Sequence, residues 1–254
     1  MPEPRVIIHL PHASDHMPSL EGFVGDWRGE IDLLTDWGTD RLFDLEGTVT
    51  IAAPFSRVFC DVERFDDDAR EPMAARGMGF VYTHADDGHL LRRVSDDLRD
   101  RIRREWYHVH HRRLSMAVRD AFTAGRDVVL IDGHSFSDAP FRRDPDQRLS
   151  RPDICIGTDA RWSASSVVDA MLAVCHRHGL RAERDAPYAG TMVPQGTASM
   201  AEASGRDFHS YMIEINRRLY LDGTRCREDA LCVLKPLVRE LIRAAVDDEQ
   251  GSRH

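Results

Sequence analysis

An α/β fold is what the sequence predicts, on three observations. Val128-Val129-Leu130-Ile131 is a run of branched apolar residues that suits a strand buried on both faces. It follows at once on residues 95–124, the longest helical pattern in the chain, so the pair reads as a helix-then-strand crossover. A second short apolar strand, Arg5-Val6-Ile7-Ile8-His9-Leu10, opens the chain and, like the first, runs into a polar loop carrying a histidine. The 254 residues show no internal repeat and no linker, so a single domain over residues 1–254 is expected.

The elements follow in order. Residues 37–45 read as a short helix capped by Thr35 or Asp36, and residues 49–52 as a strand. Residues 55–65 alternate apolar and polar side chains, which suits an extended segment. Asp66-Asp67-Asp68 and Pro72 mark a loop that continues to about Gly79. In the long helix Leu98, Ile102, Trp106, Val109, Val118 and Phe122 approximate one apolar stripe, and Gly125 is its stop. Gly133 is expected to turn the chain sharply after the central strand and to let it approach something closely. Residues 140–152 form a polar, Arg-rich loop just beyond His134, suited to a lid or a substrate surface. Residues 153–157 restart a strand, 163–178 are helical, 181–183 form a strand and 186–205 a loop. Residues 210–217 alternate as a strand, and 229–246 form a final helix kinked or restarted at Pro236, followed by a frayed tail.

Composition narrows the function. A net charge of −9 argues against nucleic acid as the main partner, and 42% hydrophobic with 30% charged residues is ordinary for a soluble protein. Five cysteines, none in a CxxC pair, read as free thiols rather than a disulfide framework. No signal peptide opens the chain, and no apolar run approaches the ~20 residues of a membrane span, so a cytoplasmic protein with no membrane partner is expected.

In open α/β sheets ligands sit off the carboxyl ends of the strands, where both strand-end histidines would stand. His12 and Asp15 are three apart and, with His134, would give a metal three ligands and leave a fourth position open for water, the pattern of catalytic zinc. Glu214, between Ile213 and Ile215, reads either as a general base or acid beside such a water or as a carboxylate facing solvent or Arg217 and Arg218. Arg57 and Arg64 could hold an anionic substrate in a planar, two-pronged way, or simply pair with Asp61, Glu63 and the acidic run. His108, His110 and His111 lie on the long helix, as a second metal site or as ordinary helix histidines. No G-x-S-x-G elbow, P-loop or dinucleotide fingerprint occurs.

Taken in order, Pro11-His12-Ala13-Ser14, Thr35-Asp36-Trp37-Gly38-Thr39-Asp40, Ser56-Arg57 through Arg64, Ile131-Asp132-Gly133-His134-Ser135 and Ile213-Glu214-Ile215-Asn216-Arg217-Arg218-Leu219-Tyr220 resemble the N-formylglutamate amidohydrolase family. That family resembles a branch of the zinc carboxypeptidase and aspartoacylase superfamily. The resemblance implies a mixed central β-sheet flanked by helices, one zinc or other divalent ion per chain, and hydrolysis of an N-formyl or other N-acyl acidic amino acid to formate and the amino acid, as in histidine degradation. His12, Asp15 and His134 fall in the order of the superfamily's metal ligands, with Asp15 in place of a glutamate and Asp36 as its substitute. Glu214 matches the late glutamate that moves the proton, Arg57 the oxyanion-stabilising arginine and Arg64 the substrate-carboxylate arginine; Ser135 and His111 would join the substrate-binding set. Glu63 stands where the superfamily has an asparagine that helps bind a substrate carboxylate, so it must turn away or meet a hydrogen-bond donor on the substrate. The competing expectation is a catalytically silent protein of this fold that binds a metal or an acidic metabolite.

Overall fold

The computed structural model describes residues 3–251, and side chains up to 247. A six-stranded sheet runs in the order β2-β1-β3-β6-β4-β5. Its strands are β1 (Arg5–Leu10), β2 (Val49–Ala52), β3 (Val128–Phe136), β4 (Ile154–Thr158), β5 (Ala182–Arg184) and β6 (Phe208–Asn216). β2, β1, β3 and β6 are parallel, whereas β4 runs antiparallel to β6 and parallel to β5, so the sheet is mixed. A two-stranded ribbon, β7 (Leu221–Asp222) with β8 (Arg225–Cys226), lies apart from it. Among the described residues no helix is long and apolar enough to cross a membrane, and all five cysteines are free.

Alternation along the central strands sends side chains to two cores. Ile8, Val129, Ile131, Tyr211, Ile213 and Ile215 pack with α5 (Ser165–Arg177) and α7 (Glu228–Gly251). Ile7, Val128, Leu130 and Phe208 pack on the other face with α4 (His108–Thr123) and α6 (Thr197–Ser204). The same period carries His9, Asp132, His134 and Glu214 to that second face, and the register sets His9 beside Asp132 and His134 beside Glu214. Residues 53–94 contribute two satellite cores, around Phe59 and Phe80 and around Val58 and Tyr82.

Several local expectations are corrected. The chain does not turn at Gly133: β3 continues to Phe136, and glycine is needed there because a Cβ would meet Leu10 Cδ2 at 2.8 Å and Phe43 at 3.1 Å. Residues 55–65 are turns rather than an extended segment, because Ser56 closes backbone bonds from Phe59 and Cys60, and the burial does not alternate: Val58 through Val62 are buried in a row. α1 (Trp27–Leu34), capped by Asp26, and α6 were not foreseen, and the expected helix at 37–45 shortens to α2 (Thr39–Leu42) after Gly38 at φ 77°. α7 is continuous through Pro236. The frayed tail falls mainly on residues beyond those described.

The long helix is α3 (Asp96–Ile102), capped by Ser95, then a π-turn over Arg103–Tyr107, then α4. The π-turn adds a residue and shifts the phase of the buried stripe by one position. Val109 is therefore exposed, while Tyr107, His110 and Leu114 face inward.

Candidate active site

The carboxyl ends of β1, β3 and β6 open into a cavity of about 740 Å³. His12, on the turn after β1, donates from Nε2 to Asp61 Oδ1 at 2.9 Å. Burial and the nearby Arg57 lower its pKa against the pull of Asp61, so the ring is neutral and Nδ1 carries a free lone pair. That Nδ1 is buried and has no partner; it lies 3.8 Å from Asp36 Oδ2. His134, on β3, is held at Nδ1 by Asp36 Oδ2 at 3.2 Å. Its Nε2 is 3.2 Å from both Glu63 Oε2 and Asp132 Oδ1, with hydrogen-bond geometry to neither. Burial opposes a charge on this ring, but Glu63, Asp132 and Asp36 outweigh burial and hold its pKa well above the usual histidine range.

Glu63 divides its oxygens: Oε2 faces His134, and Oε1 lies 3.8 Å from His9 Nδ1. Donor atoms of His12, Glu63 and His134 all lie within 4.8 Å of one another, as do those of His9, Glu63 and Asp132. His9 bridges Asp132 Oδ1 and His110 Nε2, each at 2.8 Å, and Asp132 Oδ2 also accepts the Met192 amide. Glu214, beside His134 in the register, has a buried Oε2 without a partner, and burial pushes its pKa up to about 8. Arg57 donates to Asp61 Oδ2 from Nε and Nη2, and Arg64 Nε lies 3.6 Å from the same oxygen. Arg217 ties Asp36 Oδ1 at 2.8 Å and Ser135 Oγ at 3.2 Å.

The donor set fits a divalent cation. Two histidines are each fixed by a carboxylate on one nitrogen, the usual outer support of a metal-bound imidazole, and each keeps a buried nitrogen that nothing satisfies. Around them stand Asp36, Asp61, Glu63, Asp132 and the Glu214 carboxyl against Arg57, Arg64 and Arg217, and a cation would take the place of the protons that Glu214 and His134 hold.

The N-formylglutamate amidohydrolase family model matches residues 4–221, which include every residue of this cluster. The chain belongs to the N-formylglutamate amidohydrolase family. The N-formylglutamate amidohydrolase from Ralstonia eutropha JMP134 superposes with a TM-score of 0.77 at 23% identity, over 98% of this chain and 95% of that one. A gene product of Agrobacterium tumefaciens, Atu2144, superposes with a TM-score of 0.70 at 21% identity, over 97% and 92%. Both likenesses concern the fold. No curated protein sequence matches the chain.

Within this amidohydrolase-family fold the residues singled out from the sequence separate. His12, Glu63, Arg57, Arg64, His134 and Glu214 line one cavity. Asp15 does not: it is exposed and outside the cavity wall, because the chain turns away after Pro11-His12 and three residues of loop, unlike a helical turn, do not bring the side chains together. The carboxylate found with the two histidines is Glu63 instead, with Asp36 behind His134. Ser135 borders the cavity, but its hydroxyl accepts from Arg217. His111 also borders it; its Nε2–H donates to the Val62 carbonyl at 2.8 Å, so it supports the turn carrying Glu63 and Arg64. His110 was read from the sequence only as a helix histidine or part of a second metal site and Asp61 only as an ion-pair partner, while Asp132 and His9 were given no role of their own. Asp132 and His9 were accessible by counting twos from His134 and Ile7, whereas Asp61 sits in a turn that no periodicity describes.

Proposed function

We propose that this protein hydrolyses the amide bond of an N-formyl acidic amino acid such as N-formylglutamate, with the aid of one divalent cation, zinc being the expected ion. The observation that carries the reading is the convergence of His12, His134 and Glu214 on one cavity, each with a buried nitrogen or oxygen that lacks a protein partner. His12, His134 and Glu63 would hold the ion, with Asp61 and Asp36 orienting the two imidazoles. When bound, such an ion supplies Lewis acidity toward a water and an acyl carbonyl.

The chain's own groups do the remaining work. Glu214, whose buried Oε2 has no partner, takes a proton from the attacking water and hands it to the departing amine. Arg57, fixed by Asp61 and Tyr82, presents its charge to the developing oxyanion. Arg64 takes a substrate carboxylate. Glu63 faces the histidines and so does not compete for that carboxylate. Formate and the free amino acid leave.

The test is formate release from N-formylglutamate by the purified protein, compared with Glu214→Gln. The substitution removes only the proton carrier, so turnover should fall by about 10³-fold while the bound metal and the melting temperature persist. Near-normal turnover in Glu214→Gln would remove Glu214 from this role. Metal binding without hydrolysis of any N-acyl amino acid by the wild type would favour the silent metal-binding protein.

A further inference from the structure

Two arginines that line the cavity keep a buried guanidinium nitrogen that no group among the described residues satisfies: Arg64 at Nε and Arg143 at Nη1. Arg64 is partly neutralised, with Asp61 3.6 Å and Glu71 3.8 Å away. Arg143 has no ion pair among the described residues. Its Nε donates to the Asp86 carbonyl at 3.0 Å, and the Asp86 carboxylate is engaged by the backbone amides of Arg142 and Arg143, each at 2.9 Å. The Asp86 carboxylate thus fixes the backbone at Arg143 rather than pairing with its guanidinium.

The segment that carries Arg143 is fastened at two points. Asp86 holds one side. On the other, buried Arg151 donates to Asp144 Oδ2 at 2.8 Å and to the carbonyls of Ser137 and Asp146. Phe141, Arg143 and Asp144 line the cavity from a segment tied at both sides, and Arg143 is held in position. A buried guanidinium edge without an acceptor is costly, and the partner that suits its planar fork is a carboxylate.

We propose that Arg143 reads the side-chain carboxylate of the substrate while Arg64 takes its α-carboxylate, so that the cavity selects dianionic acyl amino acids. The inference rests on the amidohydrolase reading above and adds the residue that sets its acidic specificity.

The experiment compares kcat/KM for N-formylglutamate and its neutral isostere N-formylglutamine in wild type, Arg143→Met and Arg143→Lys. The glutamate-over-glutamine ratio should fall on the order of 30-fold in Arg143→Met, mainly through KM, and by less in Arg143→Lys, which keeps the charge without the fork. An unchanged ratio, or equal losses on both substrates, overturns the proposal; should Arg143→Met fail to fold, Arg143→Lys decides by the same ratio. Calorimetric titration with glutarate gives a readout independent of turnover. Binding should weaken on the order of tenfold in Arg143→Met. Equal affinity in both proteins, or no binding to the wild type, overturns the site. Glutarate binding that depends on Arg143, in a wild type that hydrolyses neither substrate, would leave the carboxylate site standing and remove the amidohydrolase reading.

Discussion

His12 and His134 show how a neighbouring carboxylate decides which imidazole nitrogen is left free. Asp61 occupies Nε2 of one ring and Asp36 occupies Nδ1 of the other, so the free donors are His12 Nδ1 and His134 Nε2. Glu63 is the carboxylate whose oxygen completes a compact set with these rings, and Asp15 is exposed elsewhere. Glu63→Gln should accordingly weaken zinc binding at least ~100-fold, the upper end of what losing an outer-sphere partner costs, while Asp15→Ala keeps the ion. Zinc content after gel filtration and competition with a coloured chelator measure this; a metal-depleted Asp15→Ala beside an intact Glu63→Gln would reverse the assignment. The sequence led to His12, His134, Glu214 and the arginines because they stand at strand ends or in ordered motifs. It did not lead to Glu63 as the carboxylate beside the two histidines because spacing along an irregular turn does not determine direction, and Glu63 reaches them only through the turns at residues 55–65.

At the scale of elements the π-turn over Arg103–Tyr107 is what brings His110 to His9. A heptad-like stripe in the sequence cannot anticipate an inserted residue: Leu98, Ile102, Val118 and Phe122 are buried as expected, whereas Val109, just after the insertion, is exposed. A second inter-element joint is Glu30 on α1, which accepts the Asp86 amide at 2.8 Å, while the Asp86 side chain accepts the amides that secure the Arg143 loop. Burial raises the Glu30 carboxyl from its usual 4.5 to about 7, against the Asp86 amide, which favours the charged form. Between those values the folded protein holds a proton that the unfolded chain has released, so stability falls as pH rises from about 4.5 through 7. Glu30→Gln keeps an acceptor for the amide and removes the titration. Allowing for solvent screening, it should raise the melting temperature at pH 8 by roughly 3–6 °C and change it little at pH 5. Equal shifts at both pH values in scanning calorimetry would show that Glu30 stays ionised in the fold.

For the whole molecule the α/β class was legible because β1, β3 and α4–α5 each follow one period over many residues. The antiparallel insertion of β4 between β6 and β5 has no local signature; the mixed sheet was implied by the family resemblance alone. The site gathers groups from independently packed parts: β1, β3 and β6 from the sheet, and Arg57, Asp61, Glu63 and Arg64 from residues 53–94 with their own small cores. Each part is held by its own apolar packing, yet the parts press buried carboxylates against one another where they meet. Burial raises Glu214, while Asp61 and Asp132, despite burial, are kept well below the usual range by Arg57 and His12 and by His134 and His9. A divalent ion bound only by the folded state would relieve that concentration of negative charge and link the sheet to the 53–94 segment. At free metal about 100-fold above its dissociation constant the linkage is worth roughly 2.7 kcal/mol, or roughly 5–10 °C in melting temperature for a chain of this size. Stripping the protein with dipicolinate should lower the melting temperature by that amount, and adding back zinc should restore it, with His134→Ala insensitive to either treatment. A wild-type melting temperature that ignores both chelator and zinc would mean that the cluster is balanced by its arginines alone and holds no structural or catalytic cation.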